Sequence, residues 1–211
     1  MNFVHFFIAQ KSEILSLTME HLWLVGTSIA IAVLIGVPVG IMITRQPKLR
    51  GPVLGIANVI QVIPSLALFG FLLPMPWLGE RADRLAIVAL ALYALLPVIR
   101  NTYAGITGID PAVREAARGM GMTGFEMLRL VELPLATGVI LAGIRVATVI
   151  TIGVATIAAA IGAGGLGEFI FRGLAMVDNR VILAGAVPAA LMALVVDLGL
   201  GGVEKWLRVP R

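Results

Sequence analysis

The sequence contains no cysteine, so a disulfide framework, a thiolate zinc site and a thiol nucleophile are all excluded. Charged residues are also scarce, at 13% of the 211 residues, whereas 59% belong to the hydrophobic set. A soluble domain averages about 25% charged and about 45–50% apolar residues. The shortage of charge therefore excludes a soluble globular domain and a disordered chain.

The apolar residues gather in long runs rather than in the stripes of an amphipathic soluble helix. A bilayer core of about 30 Å takes about 20 helical residues, at about 1.5 Å of rise each. Five runs approach or exceed that length: residues 22–43, 53–73, 85–99, 135–161 and 181–203. The sequence therefore predicts an all-α integral membrane protein with about five transmembrane helices. The third run is short and is expected to borrow flanking residues.

The basic residues divide unequally between the loops that five spans create. Ten of the sixteen lysines and arginines, including Arg208 and Arg211, follow the first, third and fifth spans, and five fall on the other side. Because Lys and Arg favour cytoplasmic loops, we predict an N-terminus outside and a C-terminus in the cytoplasm. The preference of basic residues for cytoplasmic loops then explains the net charge of +4, and no nucleic-acid partner is expected.

The first 21 residues are more polar than the run that follows them. Apolar residues such as Phe7 alternate with Lys11 and Glu13 in a two-faced pattern, which is typical of a helix lying at the headgroups. We therefore predict an N-terminal interfacial helix over residues 1–21 and a transmembrane domain over residues 22–211.

The two histidines, His5 and His21, both lie in the N-terminal segment. Neither has a partner at the spacing that metal ligands require. We expect two surface histidines and no metal site.

The polar stretch 101–134 lies between the third and fourth runs. Asp110 is a good N-cap and Pro111 suits the first helical position, where its missing N–H costs nothing. Either Gly119 or Gly121 then ends the helix, because glycine takes left-handed conformations readily. The sequence predicts a helix of about nine residues, which is too short to be stable alone in water.

A second helix is predicted directly after this short one. Thr123 and Glu126 have the spacing of a capping box, and Pro134 is expected to close the helix or to mark the turn into the fourth span. The short helix before it requires packing against its own chain or against a partner. The residues alone leave both interpretations open.

The same loop resembles the EAA loop of ABC importer permeases. The matching residues are Glu115, Ala116, Ala117, Gly121, Leu133 and Pro134, with Val131 in place of the more usual isoleucine. The resemblance implies that residues 101–134 form the EAA coupling loop and that these six residues serve ATPase coupling. The short helix would then be the coupling helix, which docks in a cleft of a cytoplasmic ATPase.

Further segments are similar to permeases of the osmoprotectant uptake branch. They are residues 62–67, 96–102, 119–124 and 162–167. The resemblance implies an ABC type I importer permease fold and passage of a quaternary ammonium compound such as glycine betaine, carnitine or choline. Methionine-importer permeases share the architecture and some of these glycines, so methionine remains an alternative. The glycines of 162–167 also predict a tight bend that folds residues 166–180 back at the outer surface.

The resemblance also implies the partners of the chain. Its lysines, Lys11, Lys48 and Lys205, stand outside any phosphate-binding loop, so we expect no cofactor and no enzymatic activity here. ATP and Mg²⁺ would be bound by a separate ABC ATPase in two copies. A second permease, identical or paralogous, and a separate extracytoplasmic substrate-binding protein would complete the assembly, surrounded by the lipid of a bacterial inner membrane.

Polar residues within the spans are candidates for a substrate pathway, since burying them against lipid is costly. Asn58, Gln61 and Ser65 are spaced to share one helix face. Aromatic faces bind quaternary ammonium groups, but the chain has two tyrosines and three tryptophans, so a tight aromatic cage is not expected. The full candidate set is Asn58, Gln61, Ser65, Tyr93, Thr148 and Thr151. The alternative is that these residues only join helices to each other.

Two charges lie alone within spans, Arg145 in the fourth and Asp197 in the fifth. Both fall in the cytoplasmic half by their distance from the span ends. Charges in a membrane usually face the bundle interior and find a partner. We predict an ion pair between them; the alternative is that each meets water separately.

The alternatives to an ATP-driven importer are a channel or secondary carrier and a membrane enzyme. A channel or secondary carrier would work without ATP, but a carrier is expected to show inverted repeats or midplane ionisable residues, and the sequence has no convincing repeat. A membrane enzyme is the least favoured class. No constellation of His, Asp and Glu stands at catalytic spacing.

Overall fold

The computed structural model describes residues 3–207, and every regular element in that range is helical. A π-helical segment, Leu128–Glu132, joins α7 to α8, and a 3-10 turn, Ala159–Ile161, follows α8. Arg208 and Arg211, counted above among the basic residues, lie outside the described range. The ten α-helices of residues 3–207 are α1 (Phe3–Ala9), α2 (Lys11–Arg45), α3 (Pro47–Val62), α4 (Ser65–Leu72), α5 (Ala82–Thr107), α6 (Pro111–Gly119), α7 (Gly124–Met127), α8 (Leu133–Ala158), α9 (Gly167–Met176) and α10 (Asn179–Leu207).

In the part of the chain that the structure describes, four helical stretches are long and apolar enough to cross a membrane. They are α2, α5, α10 and the stretch Gly124–Ile161 that contains α8. A fifth span arises if α3 and α4, which are bent by 102° at their junction, count as one. The predicted all-α membrane fold with about five spans is confirmed. The short third run is extended at both ends to Ala82–Thr107.

The separate interfacial helix predicted over residues 1–21 is corrected by the structure. Only α1 is separate, and α2 passes through residue 21 without a break. At 35 residues α2 is about 52 Å long. Residues 11–20 contain neither proline nor glycine and are mostly good helix formers, so nothing stops the helix there.

His21 is buried, so the prediction of a surface histidine is wrong at this position. Its Nε2 atom lies 3.1 Å from the carbonyl oxygen of Ile152 on α8, and its ring has no exposed surface. The continuation of α2 through residue 21 turns this side chain into the bundle. His21 therefore joins α2 to α8, whereas His5 is exposed as expected.

The glycine-rich run 162–167 makes the predicted tight bend. Three of its glycines have φ between 78° and 83°, a conformation that glycine adopts without steric cost. α9 folds back, and Arg172 on α9 bonds Glu13 on α2 at 2.6 Å. After α9, Asp178 pairs with Arg180, and this hydrogen bond holds the pKa of the Asp178 carboxyl below its usual range.

The helix α5 lies at the centre of the bundle, between α2 and α8. Small residues let α2 approach it closely: a Cβ on Gly36 would stand 2.8 Å from Val98, and one on Gly40 would stand 2.6 Å from Thr102. Small residues four apart are typical of tight helix contacts in membranes. α8 also packs against α5, and α10 packs against α8.

Candidate functional site

The short helix α6 begins and ends as its sequence predicts. Asp110 caps it by accepting a hydrogen bond from the backbone N–H of Ala112 at 2.9 Å, and Pro111 opens it. At the other end Gly121 has a φ of 79°. Its N–H donates to Arg118 O, and that of Met122 donates to Ala117 O. These two bonds form a Schellman motif, which satisfies the last carbonyls of the helix.

The three residues of the EAA pattern that lie on α6 divide between two faces of this helix. Glu115 and Ala116 are exposed, while Ala117 is buried against the protein. The exposed face offers a carboxylate beside a small side chain, which leaves room for another surface to approach. Ala117 instead belongs to the packing that holds α6, with the covered face stabilising a helix too short to stand alone.

The second half of the loop differs from the sequence-based prediction at Pro134. The capping box is confirmed, since Thr123 and Glu126 bond each other's backbone N–H groups. Pro134, however, neither closes a helix nor marks a turn, because the chain continues through the π-helical segment directly into α8. The N–H of Leu133 donates to Leu128 O, five residues back. This wider turn gives room for a proline ring that a regular helix would not accept.

A buried carboxylate lies inside the loop at Glu132, the last residue of the π-helical segment. Its side chain has no exposed surface. It bonds both Nη atoms of Arg45, and the Nε atom of Arg114 lies 3.2 Å from its Oε1. One carboxylate thus joins the end of α2 to α6 and to the start of α8.

Sequence reasoning missed Glu132 and its two arginines. The signal was present, because Glu132 occupies the free position between Val131 and Leu133 of the EAA pattern and directly precedes a long apolar run. A charge at that boundary is equally typical of a solvated residue at the end of a transmembrane helix. Only the structure shows that Arg45, 87 residues earlier in the chain, lies beside it.

The polar residues proposed for a pathway are divided by the break between α3 and α4. Asn58 and Gln61 lie on α3, whereas Ser65 starts α4, so the shared helix face predicted for all three is wrong. Pro64 is the physical reason, since the residue before a proline is pushed out of helical geometry, and Ile63 has a ψ of 126°. Asn58 accepts a hydrogen bond from Arg100 at 2.9 Å.

Tyr93 is buried at this break rather than exposed along a lining. Its hydroxyl donates a hydrogen bond to the carbonyl oxygen of Ile63. Ile63 lies in the extended link, where the regular helical bonding pattern is interrupted. Tyr93 therefore satisfies a backbone group at the bend, in keeping with the need of every polar backbone group for a partner within a membrane.

The two threonines on α8 are also bonded within the bundle. The hydroxyls of Thr148 and Thr151 donate to carbonyl oxygens one turn earlier, at 2.8 Å and 2.7 Å. Thr151 is fully buried. Thr148 lines an apolar groove of about 260 Å³ between α2, α8 and α10. The structure thus leaves these threonines apart from Asn58 and Gln61.

Arg145 and Asp197 lie in contact between α8 and α10. Arg145 Nε is 2.5 Å from Asp197 Oδ1, and its Nη2 is 2.8 Å from Oδ2. Glu204, two turns further along α10, lies 3.6 Å from the same guanidinium. The arrangement is a bidentate pair with a second carboxylate nearby, which is a strong geometry for an arginine.

Comparison with known proteins identifies similar sequences over nearly the whole chain. A sequence model of the family described as "Binding-protein-dependent transport system inner membrane component" matches residues 32–209. The osmoprotectant import permease protein OsmW of Salmonella typhimurium is 45% identical over 199 residues, which cover 93% of each chain. The choline transport system permease protein OpuBB of Bacillus subtilis is 44% identical over 97% of this chain and 93% of its own length.

Solved structures resemble the fold as well. The MetNI methionine ABC transporter, in an inward-facing conformation, aligns with a TM-score of 0.80 over 90% of this chain and 93% of its own, at 24% identity. An amino acid ABC transporter with histidines aligns with a TM-score of 0.75 over 99% of this chain and 98% of its own, at 21% identity. At these identities the likeness establishes the fold alone.

Proposed function

This chain belongs to the family of binding-protein-dependent transport system inner membrane components, and we propose that it is the permease through which a small osmoprotectant enters the cell. The substrate class is a quaternary ammonium compound such as glycine betaine, carnitine or choline. Four full-length relatives at 43–45% identity support this class, because their names specify osmoprotectant, choline, glycine betaine or carnitine transport. The methionine alternative rests on fold likeness at 24% identity and receives no such support.

The observation that carries the transport mechanism is the exposed face of α6. A capped helix that presents Glu115 and Ala116 to solvent, anchored through Ala117, suits insertion into the surface of a second protein. We infer that this second protein is the ATPase of the importer. Leu133 and Pro134 continue the same loop into α8, so that a displacement of α6 reaches a membrane-crossing helix.

The family implies an ATPase and a substrate-binding protein as partners, and we propose their number and roles as follows. Two ATPase copies bind ATP and Mg²⁺ and perform all hydrolysis, while two permease chains, identical or paralogous, form the pathway between them. The substrate-binding protein delivers the solute from outside. In the bacterial inner membrane α6 faces the cytoplasm, with the N-terminus outside and the C-terminus inside.

We propose two roles for the polar residues within the spans. Asn58 and Gln61, on the half-buried surface of α3, are the candidates that keep access to a space between two permease chains. Tyr93, Thr148 and Thr151 act through the shape of the bundle, given their internal hydrogen bonds. Selection among quaternary ammonium compounds then belongs mainly to the binding protein.

The test is uptake by the complete transporter in liposomes. The full chain is co-expressed with the ATPase and binding protein of its transport system, and a tag on the chain is used for purification. We expect the ATPase to co-purify and labelled glycine betaine, carnitine or choline to accumulate only with internal ATP. Uptake without ATP, or ATP-driven uptake of methionine but of no quaternary ammonium compound, would contradict the proposal.

A further inference from the structure

The EAA loop contains a buried charged cluster that its exposed residues do not explain. We call Glu132, Arg45 and Arg114 the Glu132 clamp. Glu132 has no exposed surface, whereas the Arg45 and Arg114 side chains are 39% and 24% exposed. The three residues come from the π-helical segment, the last position of α2 and the second turn of α6. A carboxylate buried this deeply is costly unless partners of opposite charge compensate it.

Arg114 connects α6 to two other elements at once. Its Nε atom lies 3.2 Å from Glu132 Oε1, and its Nη2 atom donates to the carbonyl oxygen of Ile106 near the end of α5. The only residue of α6 that is fully buried is Ala117. Since an alanine offers little contact area, we give more weight to the ion pair with Glu132 and the hydrogen bond to Ile106, through which Arg114 joins α6 to the membrane helices.

Arg45 extends the connection to the first span. It is the last residue of α2, and both of its Nη atoms bond the Glu132 carboxylate. Charge-assisted bonds of this kind are shorter and more directional than apolar contacts. They resist the sliding that a surface of alanine and leucine allows. A displacement of α6 would therefore draw the end of α2 and the start of α8 with it.

We propose that Glu132 is a positioning residue that makes α6, the end of α2 and the start of α8 move as one unit. This inference rests on the proposed function, because it takes α6 as the helix that the ATPase moves. In this role Glu132 touches neither nucleotide nor transported solute. The π-helical segment fits the role, because such segments recur at functional positions of helices and this one holds Glu132 at its last position.

The test variants break one link of the clamp and keep the buried charge compensated. Arg114→Gln leaves Glu132 bonded to Arg45, and Arg45→Gln leaves it beside Arg114. Each is reconstituted with the wild-type ATPase and binding protein. We expect normal ATPase co-purification, but solute uptake per ATP hydrolysed should fall about tenfold, within the ~5–150-fold range of typical coupling free energies.

The matched control is Arg129→Gln. It removes one exposed charge from the same π-helical segment and leaves the clamp intact. We expect its uptake per ATP to equal that of the wild type. A second readout uses the absence of cysteine: spin labels at Met42 on α2 and at Met120 after α6 report the distance between the two elements. That distance should stay fixed between nucleotide states in the wild type and change in Arg114→Gln.

The outcomes separate this inference from the proposed function. Wild-type uptake per ATP and a fixed distance in both clamp variants would overturn the inference alone. Loss of ATPase co-purification in both variants would overturn it as well, because the clamp would then serve docking and not transmission. A wild-type chain that neither binds the ATPase nor shows ATP-driven uptake would instead overturn the proposed function.

Discussion

At the scale of single residues, Gly121 shows how a backbone conformation alone specifies an amino acid. Its φ of 79° lies in the left-handed region, and a Cβ built there would meet nothing within 4 Å. Steric room is therefore not the constraint. The whole cost of a larger residue comes from its own backbone, which for a β-branched side chain strongly disfavours this region.

Gly121→Val is therefore predicted to disturb the end of α6 without disturbing the bundle. Holding a β-branched residue in this conformation costs about 1–3 kcal/mol, which favours loss of the Schellman bonds at Arg118 and Ala117. We expect the chain to insert into the membrane in normal amount but to show weaker ATPase binding or reduced uptake per ATP. Solute binding to the isolated binding protein should not change.

Gly119→Val is the matched control for this prediction. Gly119 also has open space around its Cβ position, but its backbone lies outside the left-handed region. The same side chain two residues earlier should therefore have a much smaller effect on ATPase binding. Equal behaviour of the two valine variants would show that the positive φ at Gly121 does not matter for coupling.

At the scale of elements, the contact between α8 and α10 includes one arginine and two carboxylates. Within residues 3–207, Asp197 pairs with Arg145 alone, whereas Arg145 faces both Asp197 and Glu204. Arg145→Ala removes the cation that both carboxylates face. Asp197→Ala leaves the arginine beside Glu204. We predict that Arg145→Ala lowers thermal stability in detergent more than Asp197→Ala does.

The double variant Arg145→Ala/Asp197→Ala tests whether the two residues are energetically coupled. Removing both partners avoids an uncompensated charge, so its loss of stability should be smaller than the sum of the two single losses by about 0.5–3 kcal/mol, the range for residues in contact. Melting of the purified chain, followed by size-exclusion chromatography, measures all three variants. Simple additivity would mean that the pair contributes no coupling between α8 and α10.

Elements that depend on neighbouring residues could be predicted from the sequence, while those that depend on distant ones could not. The cap at Asp110, the capping box at Thr123 and the glycine bend at 162–167 each arise from a few adjacent residues. The confirmed spans likewise follow from uninterrupted apolar runs. In all these cases the cause lies in the same continuous stretch of chain as the structure that it produces.

The features that could not be predicted depend on residues far apart in the chain. Burial of His21 depends on Ile152, and burial of Tyr93 depends on its bond to Ile63, 30 residues earlier in the chain. The clamp needs Arg45 beside Glu132. The π-helical segment before Pro134 has no sequence signature that separates it from a helix end. These features require knowledge of which helices are neighbours, and helical periodicity within one segment does not contain it.

At the scale of the whole molecule, a group of charged contacts marks each end of the bundle, while the pair Arg145–Asp197 lies within the spans. One end has the Glu132 clamp and the caps of α6, and the other has the pair Glu13–Arg172 beside the glycine bend. Between them the long helices expose large apolar side chains such as Leu34, Val195 and Leu198. Such a surface is stable only where lipid or another apolar chain covers it, so the bundle axis lies across the membrane.

The distribution of basic residues predicts which end of the bundle faces the cytoplasm. The excess of lysine and arginine on the α6 end predicts that this end faces the cytoplasm. Arg118 lies there on an exposed turn of α6, and Asp83 lies at the opposite end, with a side chain 40% exposed. Because the chain has no cysteine, Arg118→Cys and Asp83→Cys each create a single labelling site.

A membrane-impermeant maleimide applied to intact cells should label position 83 and leave position 118 unlabelled. Inverted membrane vesicles should reverse the result, which controls for poor reactivity at either position. Since both sites are accessible to solvent in the fold, only the bilayer separates them from the reagent. Labelling at position 118 but not at position 83 in intact cells would place the α6 end outside, where no ATP-hydrolysing partner is available to it.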